Sequence, residues 1–338
     1  MIHLGSETTE KSLNTKKLPT LTIGDNNDNV SLLQKELVTA GFPPAIVTKG
    51  CFDTSTAVAV SDFQASRGLS VDGICGPHTW TALQEASWTL GDRDLAIANP
   101  ALRGDDVAEL QLRLGSLGFD AGRVDGIFGS ETASAVKEFQ FNSGLHPDGI
   151  CSTETTACLK RMSARVIPAT VAAVRERAML QRAPKKLTEK HIMIVFPEDL
   201  AAVGSELCTG LRRAGAAVHE ISDLSESDAA NEANRLKVDV CLNLVPSCIQ
   251  ECRISYFATE GFVSPGGKRL ASILGKRLPV ALSIETSEVR GMRLPILRHT
   301  QMTAVQCSLG PLLLIQARLA PVARAFEAGL ALWATKPA

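Results

Sequence analysis

With 338 residues, a net charge of −1, 45% hydrophobic and 21% charged residues, the chain has room for two or three domains and no basic excess to hold nucleic acid. No apolar run reaches the roughly 18 residues of a membrane helix. Met1 to Lys17 carries lysines without an apolar core, so no secretory signal is expected either. Nine cysteines, an odd number lying largely in apolar runs, read as reduced thiols of a cytoplasmic protein.

In chain order, residues 1–19 read as a flexible tail, with Thr8, Thr9, Thr15 and the adjoining Thr20 as possible phosphate acceptors. Residues 20–88 follow the plan of a three-helix bundle. Val30, Leu33 and Leu37 share one helical face ended by Gly41. Asp53 or Thr54 caps a second helix that carries Val58 and Phe63 and stops at Gly68. Pro77 opens a third, with Trp80 and Leu83 turned inward. The plan then returns over residues 100–162. Phe63-Gln64, Gly68-Leu69 and Asp72-Gly73-Ile74-Cys75 recur 76 positions later as Phe139-Gln140, Gly144-Leu145 and Asp148-Gly149-Ile150-Cys151. Asp105 or Asp106 is the expected first cap of this copy, and an acidic stretch from Gly91 to Asn99 reads as the linker between the two.

Residues 163–190 read as a second linker, helix-like over Val171 to Arg182 and basic at Arg175, Arg177, Arg182, Lys185 and Lys186. A solvated face is the plain reading of those charges, and an acidic partner the sharper one. Residues 191–335 change class. Strands are expected at Ile192–Phe196, Ala217–Ile221, Val238–Val245, Leu294–Leu297 and Thr303–Leu309. Helices are expected at Leu200–Ala214, Glu226–Leu236, Gly267–Leu278 and Pro321–Trp333, with an irregular cysteine-bearing piece after Val245. The fold class is therefore multidomain, two all-α three-helix bundles followed by an α/β domain with a mostly parallel sheet. Two features admit a ligand. Cys241, Cys248 and Cys252 admit a soft-metal reading, but their spacing fits no standard pattern and buried thiols fit better. Ser264 to Gly267, opening a helix, is either an anion-binding turn or a plain one.

The order Gly104-Asp105, Val107, Leu110-Gln111, Leu114, Gly118-Phe119, Phe128-Gly129, Thr132, Ala135-Val136, Phe139-Gln140 resembles the peptidoglycan-binding-like domain family. The resemblance implies three-helix cell-wall modules and places Asp72, Gly73, Asp125, Gly126, Asp148 and Gly149 in loops beside a ligand groove. Each Asp-Gly pair is also a turn-former in its own right. The back half resembles the zinc-dependent N-acetylmuramoyl-L-alanine amidase domain through Ala230, Asn231, Ala233 and Asn234 before Val238-Asp239, through Arg290-Gly291 with Leu294 to Arg298, and through Met302 to Val305 with Leu309-Gly310. That family needs His and Glu ligands and a glutamate that moves the proton. Here Glu198 and Asp199 stand at the first ligand segment, Val245 at the second His and Ser308 at the catalytic Glu. The expectation is a vestigial site with no catalytic residue, metal or cofactor, zinc returning only if the chain is an active amidase after all. The whole resembles the cytoplasmic actinobacterial pseudo-amidases that regulate peptidoglycan precursor synthesis. It implies peptidoglycan fragments or precursors, and enzymes of precursor synthesis, as partners.

Overall fold

Residues 18–46, 48–163 and 171–335 are described by the computed structural model, so Thr8, Thr9 and Thr15 lie outside the described residues. The chain divides into two units, residues 1–172 and 173–338. The first holds α1 (Asp28–Thr39), α2 (Thr54–Arg67), α3 (Pro77–Ala86), α4 (Asp105–Ser116), α5 (Ser130–Asn142) and α6 (Thr153–Met162), three helices to each bundle. Local chemistry sets the helix ends. Asn27 Oδ1 accepts from the N–H groups of Asn29 and Val30, and Asp53 Oδ1 from that of Thr56. Gly68 ends α2 in the left-handed region at φ 63°. Val30, Leu33, Leu37, Phe52, Phe63, Trp80 and Leu83 form the first core, and Val107, Leu110, Leu114, Phe128, Val136, Phe139 and Leu159 the second.

Val58 rides on α2 and is 59% exposed, because it lies five residues from Phe63 and hence well round the helix from the buried face. Two expectations change here. The residue before α4 is Gly104, without a side-chain cap. Asp106 is instead buried, its Oδ2 2.8 Å from Arg93 Nε, while the Arg93 guanidinium lies over the Trp88 ring. The acidic stretch between the modules is also not a free linker. Leu90 and Leu95 belong to the second core, and Leu95 bridges Cys151 as Leu21 bridges Cys75. Two apolar anchors among charged neighbours extend the second bundle back to Leu90.

The second unit follows with α7 (Val171–Arg182), β1 (His191–Phe196), α8 (Ala201–Arg213), β2 (Ala217–Ser222), α9 (Glu226–Leu236), β3 (Val240–Pro246), β4 (Glu251–Phe257), α10 (Pro265–Leu282), β5 (Glu288–Met292), α11 (Pro295–His299), β6 (Thr303–Gly310), α12 (Leu312–Ala317) and α13 (Leu319–Thr335). The strand order is β2-β1-β3-β6-β4-β5. Neighbours are parallel except where β4 meets β6. One face carries Ile192, Ile194, Phe196, Leu242, Leu244, Ile254, Val305, Cys307 and Leu309, packed with residues of α8, α10 and α13. On the other, α11 packs with α9 and reaches β4 and β6. Cover on both faces explains the near-continuous apolar runs of β1, β3 and β6.

The piece expected to be irregular contains β4. Its alternation, Cys252 and Ile254 toward the main core with Arg253 and Ser255 toward the other face, is hidden by charged neighbours. The strand expected at Leu294–Leu297 is α11: Pro295 at its first position suits a helix start, and burial of Ile296, Leu297 and Arg298 accounts for the apolar run.

Candidate functional site

Each bundle turns on a buried glutamine. Gln64, 2% exposed at the end of α2, donates Nε2 to Asp72 Oδ1 at 2.7 Å, Ile74 O at 2.9 Å and Thr79 Oγ1 at 3.0 Å. Its Oε1 accepts from the N–H groups of Asp72 and Gly73. Gln140 does the same with Asp148, Gly149, Ile150 and Thr155. Gln111 repeats it with Asp125, Gly126, Ile127 and Thr132. Gln34 holds Thr48, Gly50, Cys51 and Thr56 likewise, with Lys49 where the others have Asp. Each module is thus two copies of a helix–turn–helix half. The signal was in the sequence, as a Gln followed by a turn containing Gly and then a Thr, although it spans some 20 residues.

This network decides where the six loop candidates lie. Gly73, Gly126 and Gly149 have φ of 68°, 71° and 81°, the left-handed conformation their turns require. Asp72, Asp125 and Asp148 each accept the N–H two residues on with the same oxygen that meets the glutamine. Those N–H bonds, first of all that of Ile150, hold the Asp148 carboxyl below the ordinary carboxylate range. Gly126 is buried. Asp72 and Gly73, by contrast, also line a groove of about 380 Å³ with Thr22, Ile23, Thr54, Ala57, Val58, Ser61 and Ile74. Asp72 and Gly73 therefore stand at a groove, while Gly149, like Gly126, is buried.

In the α/β unit, Val245 of β3 and Ser308 of β6 are register partners, and Arg253 of β4 is paired with Ser308 from the other side. Arg253 forms ion pairs with Glu251 and, at 3.0 Å, with Glu288. On the same face, two residues back along β3 and β6, Asn243 Nδ2 donates to Gln306 Oε1 at 2.9 Å. Phe196, at the end of β1, points to the opposite face, where its ring leaves no room for a Cβ on Gly204 of α8. Glu198 and Asp199 sit in a short turn after β1. The Glu198 N–H donates to Asp223 Oδ1, and Asp199 edges a small cleft with Leu200, Val203, Leu312 and Ile315.

This set does not fit zinc. Valine has no lone pair, and a guanidinium beside Ser308 repels a dication. Among the described residues, no three His, Cys, Asp or Glu side chains gather as metal ligands. The cysteine trio is dispersed as well. Cys241 and Cys252 are buried on opposite faces of the sheet, each thiol pushed up to about 12 by burial, and Cys248 is exposed at the turn. The Ser264–Gly267 turn is filled by the chain itself. Glu176 of α7 accepts from Ser264 Oγ at 2.6 Å and from the Gly266 N–H at 3.2 Å, so an internal carboxylate takes the place at the start of α10. The helical part of the expected linker is thereby tied to the α/β unit. His191 and His219 stack together where β1 and β2 begin, away from Val245 and Ser308.

Residues 26–83 and 103–159 match the family described as "Putative peptidoglycan binding domain", one match per bundle. The N-acetylmuramoyl-L-alanine amidase CwlM of Mycobacterium tuberculosis is 33% identical over 292 residues, covering 77% of this chain and 71% of that protein. The chain belongs to the CwlM family. Beyond CwlM, a probable N-acetylmuramoyl-L-alanine amidase of Bacillus licheniformis is 37% identical over 150 residues, 40% of this chain and 42% of that protein. The catalytic domain of the amidase CwlV from Bacillus (Paenibacillus) polymyxa var. colistinus superposes with a TM-score of 0.36 at 14% identity, covering 42% of this chain and 97% of that one. This CwlM-family chain therefore joins two peptidoglycan-binding-type modules to an amidase-like domain, and its role is related to peptidoglycan.

Proposed function

We propose that this chain is a non-catalytic, cytoplasmic regulator of peptidoglycan synthesis. Its modules hold peptidoglycan fragments or precursors, and its amidase-like domain contacts an enzyme of precursor synthesis. The observation that carries the reading is the triad Val245, Ser308 and Arg253, side by side on three neighbouring strands. An amidase needs three protein ligands around an open zinc position and a carboxylate to take the proton from water. Here the row offers an aliphatic side chain, a hydroxyl, and a cation already paired with two glutamates. The second reading, hydrolysis, is favoured by the names its relatives carry.

The test is to mix the purified chain with peptidoglycan, with and without zinc, and to measure both sedimentation with the polymer and release of stem peptide. Co-sedimentation without release is expected. Turnover that depends on one bound zinc per chain would return the protein to the hydrolases.

A further inference from the structure

The two modules share a plan, and the walls beside their turns differ. In the first, Thr54, Ala57, Val58 and Ser61 fall at i, i+3, i+4 and i+7 on α2 and make one wall. The Asp72–Ile74 turn closes the groove from a second side, and Thr22 with Ile23 line it as well. Its volume lies within the roughly 300–1,000 Å³ of small-molecule sites. The lining offers three hydroxyls and several aliphatic groups. Ile23 and Val58 are 61% and 59% exposed, so a ligand that covered them would gain by removing apolar surface from water. The single ionisable group is Asp72. One of its oxygens is taken by Gln64 and the Ile74 N–H, and its negative charge faces whatever enters.

In the second module the same wall is Ser130, Ala133, Ser134 and Lys137. Val58 has become Ser134, which removes the valine of the helix wall, while Ile97 and Ile150 keep the places of Ile23 and Ile74. Ser61 has become Lys137. Ser61 Oγ lies 3.1 Å from where a Cβ on Gly73 would stand, and Lys137 Cβ lies 3.9 Å from the same point on Gly149. A long cation therefore rises beside the second turn, where the first module has a short hydroxyl.

We infer that the first module is the ligand-bearing member of the pair and that its groove takes an N-acetylated amino sugar of the glycan, not the stem peptide. This rests on the peptidoglycan reading above. Such a sugar brings a methyl group for Ile23 and Val58, hydroxyl donors for the Asp72 carboxylate, and no charge. A stem peptide brings carboxylates, which Asp72 repels. The second module lacks the valine of that wall and sets the cation of Lys137 beside the same turn.

The experiment follows backbone amide signals of the isotopically labelled full chain while three probes are added in turn: N,N′-diacetylchitobiose, a free stem pentapeptide, and an intact muropeptide. The disaccharide is expected to move the signals of Thr54, Ser61, Gly73 and Ile74 and to leave Gly149 and Ile150 in place. Ser61→Lys, which copies the second module, is expected to weaken that binding about tenfold or more. The rest of its spectrum, unchanged, would show that the bundle stays folded. Shifts at the first groove with peptide but not disaccharide overturn the inference and leave peptidoglycan binding standing. Disaccharide shifts confined to the second module do the same. No shift with any probe, the muropeptide included, removes the inference and the peptidoglycan reading together.

Discussion

At the residue scale, the front half depends on glutamines whose polar atoms are almost fully used inside the protein. Gln64 serves three acceptors and two backbone donors with one side chain. Truncating it strands the Asp72 and Gly73 N–H groups, and each unsatisfied group costs about 1–3 kcal/mol. Gln64→Ala is therefore expected to destabilise the first bundle by about 3 kcal/mol, seen as a fall in its urea midpoint with little change in slope. An unchanged midpoint would mean that the turn holds itself. The Asp-Gly pairs were legible in the sequence as turns because their chemistry is local. The glutamines leave only a spread-out signal, a Gln followed by a Gly-bearing turn and a Thr, because a Gln in a helix reads as an ordinary helix former and its partners lie eight to fifteen residues away.

Among elements, caps explain what could be read and what could not. Asp53 and Pro77 announced α2 and α3, since Asp53 acts on an N–H within its own turn and Pro77 lacks the N–H that the first turn leaves unused. Asp106 broke the rule because Arg93, thirteen residues upstream, draws its carboxylate into the interior. No local pattern records that pull. The β4 strand was missed because the charges of Glu251 and Arg253 interrupt its apolar run, and α11 because its buried apolar run blurs the periodicity that separates strand from helix. The Asp53 cap also carries a pH signature. The Thr56 N–H, as the largest cause, holds its carboxyl below the ordinary value of 3.8. A folded pKa below the unfolded one contributes stability that is present above about pH 4 and is lost as pH falls through the folded value. Asp53→Ala should thus lower the urea midpoint at pH 7, and the gap to the unaltered chain should close as the solution is acidified below pH 3.8. A gap that persists in acid would assign the effect to chain geometry and not to the charge.

For the whole molecule, domain order and the parallel sheet were readable because repeats and apolar runs survive substitution, whereas the fate of the hydrolytic centre needed the registers of β3, β6 and β4 together. Those registers set Arg253 beside Ser308 and Val245, a juxtaposition that sequence spacing alone does not give. It has a thermodynamic consequence. A metal that binds the folded state alone stabilises it by about 2.7 kcal/mol at a hundredfold excess over its dissociation constant, which in a domain of this size raises the melting temperature by roughly 5–10 °C. Among the described residues no set of donors gathers for zinc, so on the proposed reading melting of the full chain with added zinc should match melting with a chelator to within about 1 °C. Exposed Cys248 is the one complication, since a surface thiol can hold zinc weakly. Cys248→Ser separates the cases. A zinc-dependent rise that this change abolishes is surface chemistry, whereas a rise that survives it and disappears with Glu198→Gln and Asp199→Asn would place a working metal site at the end of β1 and restore the hydrolase.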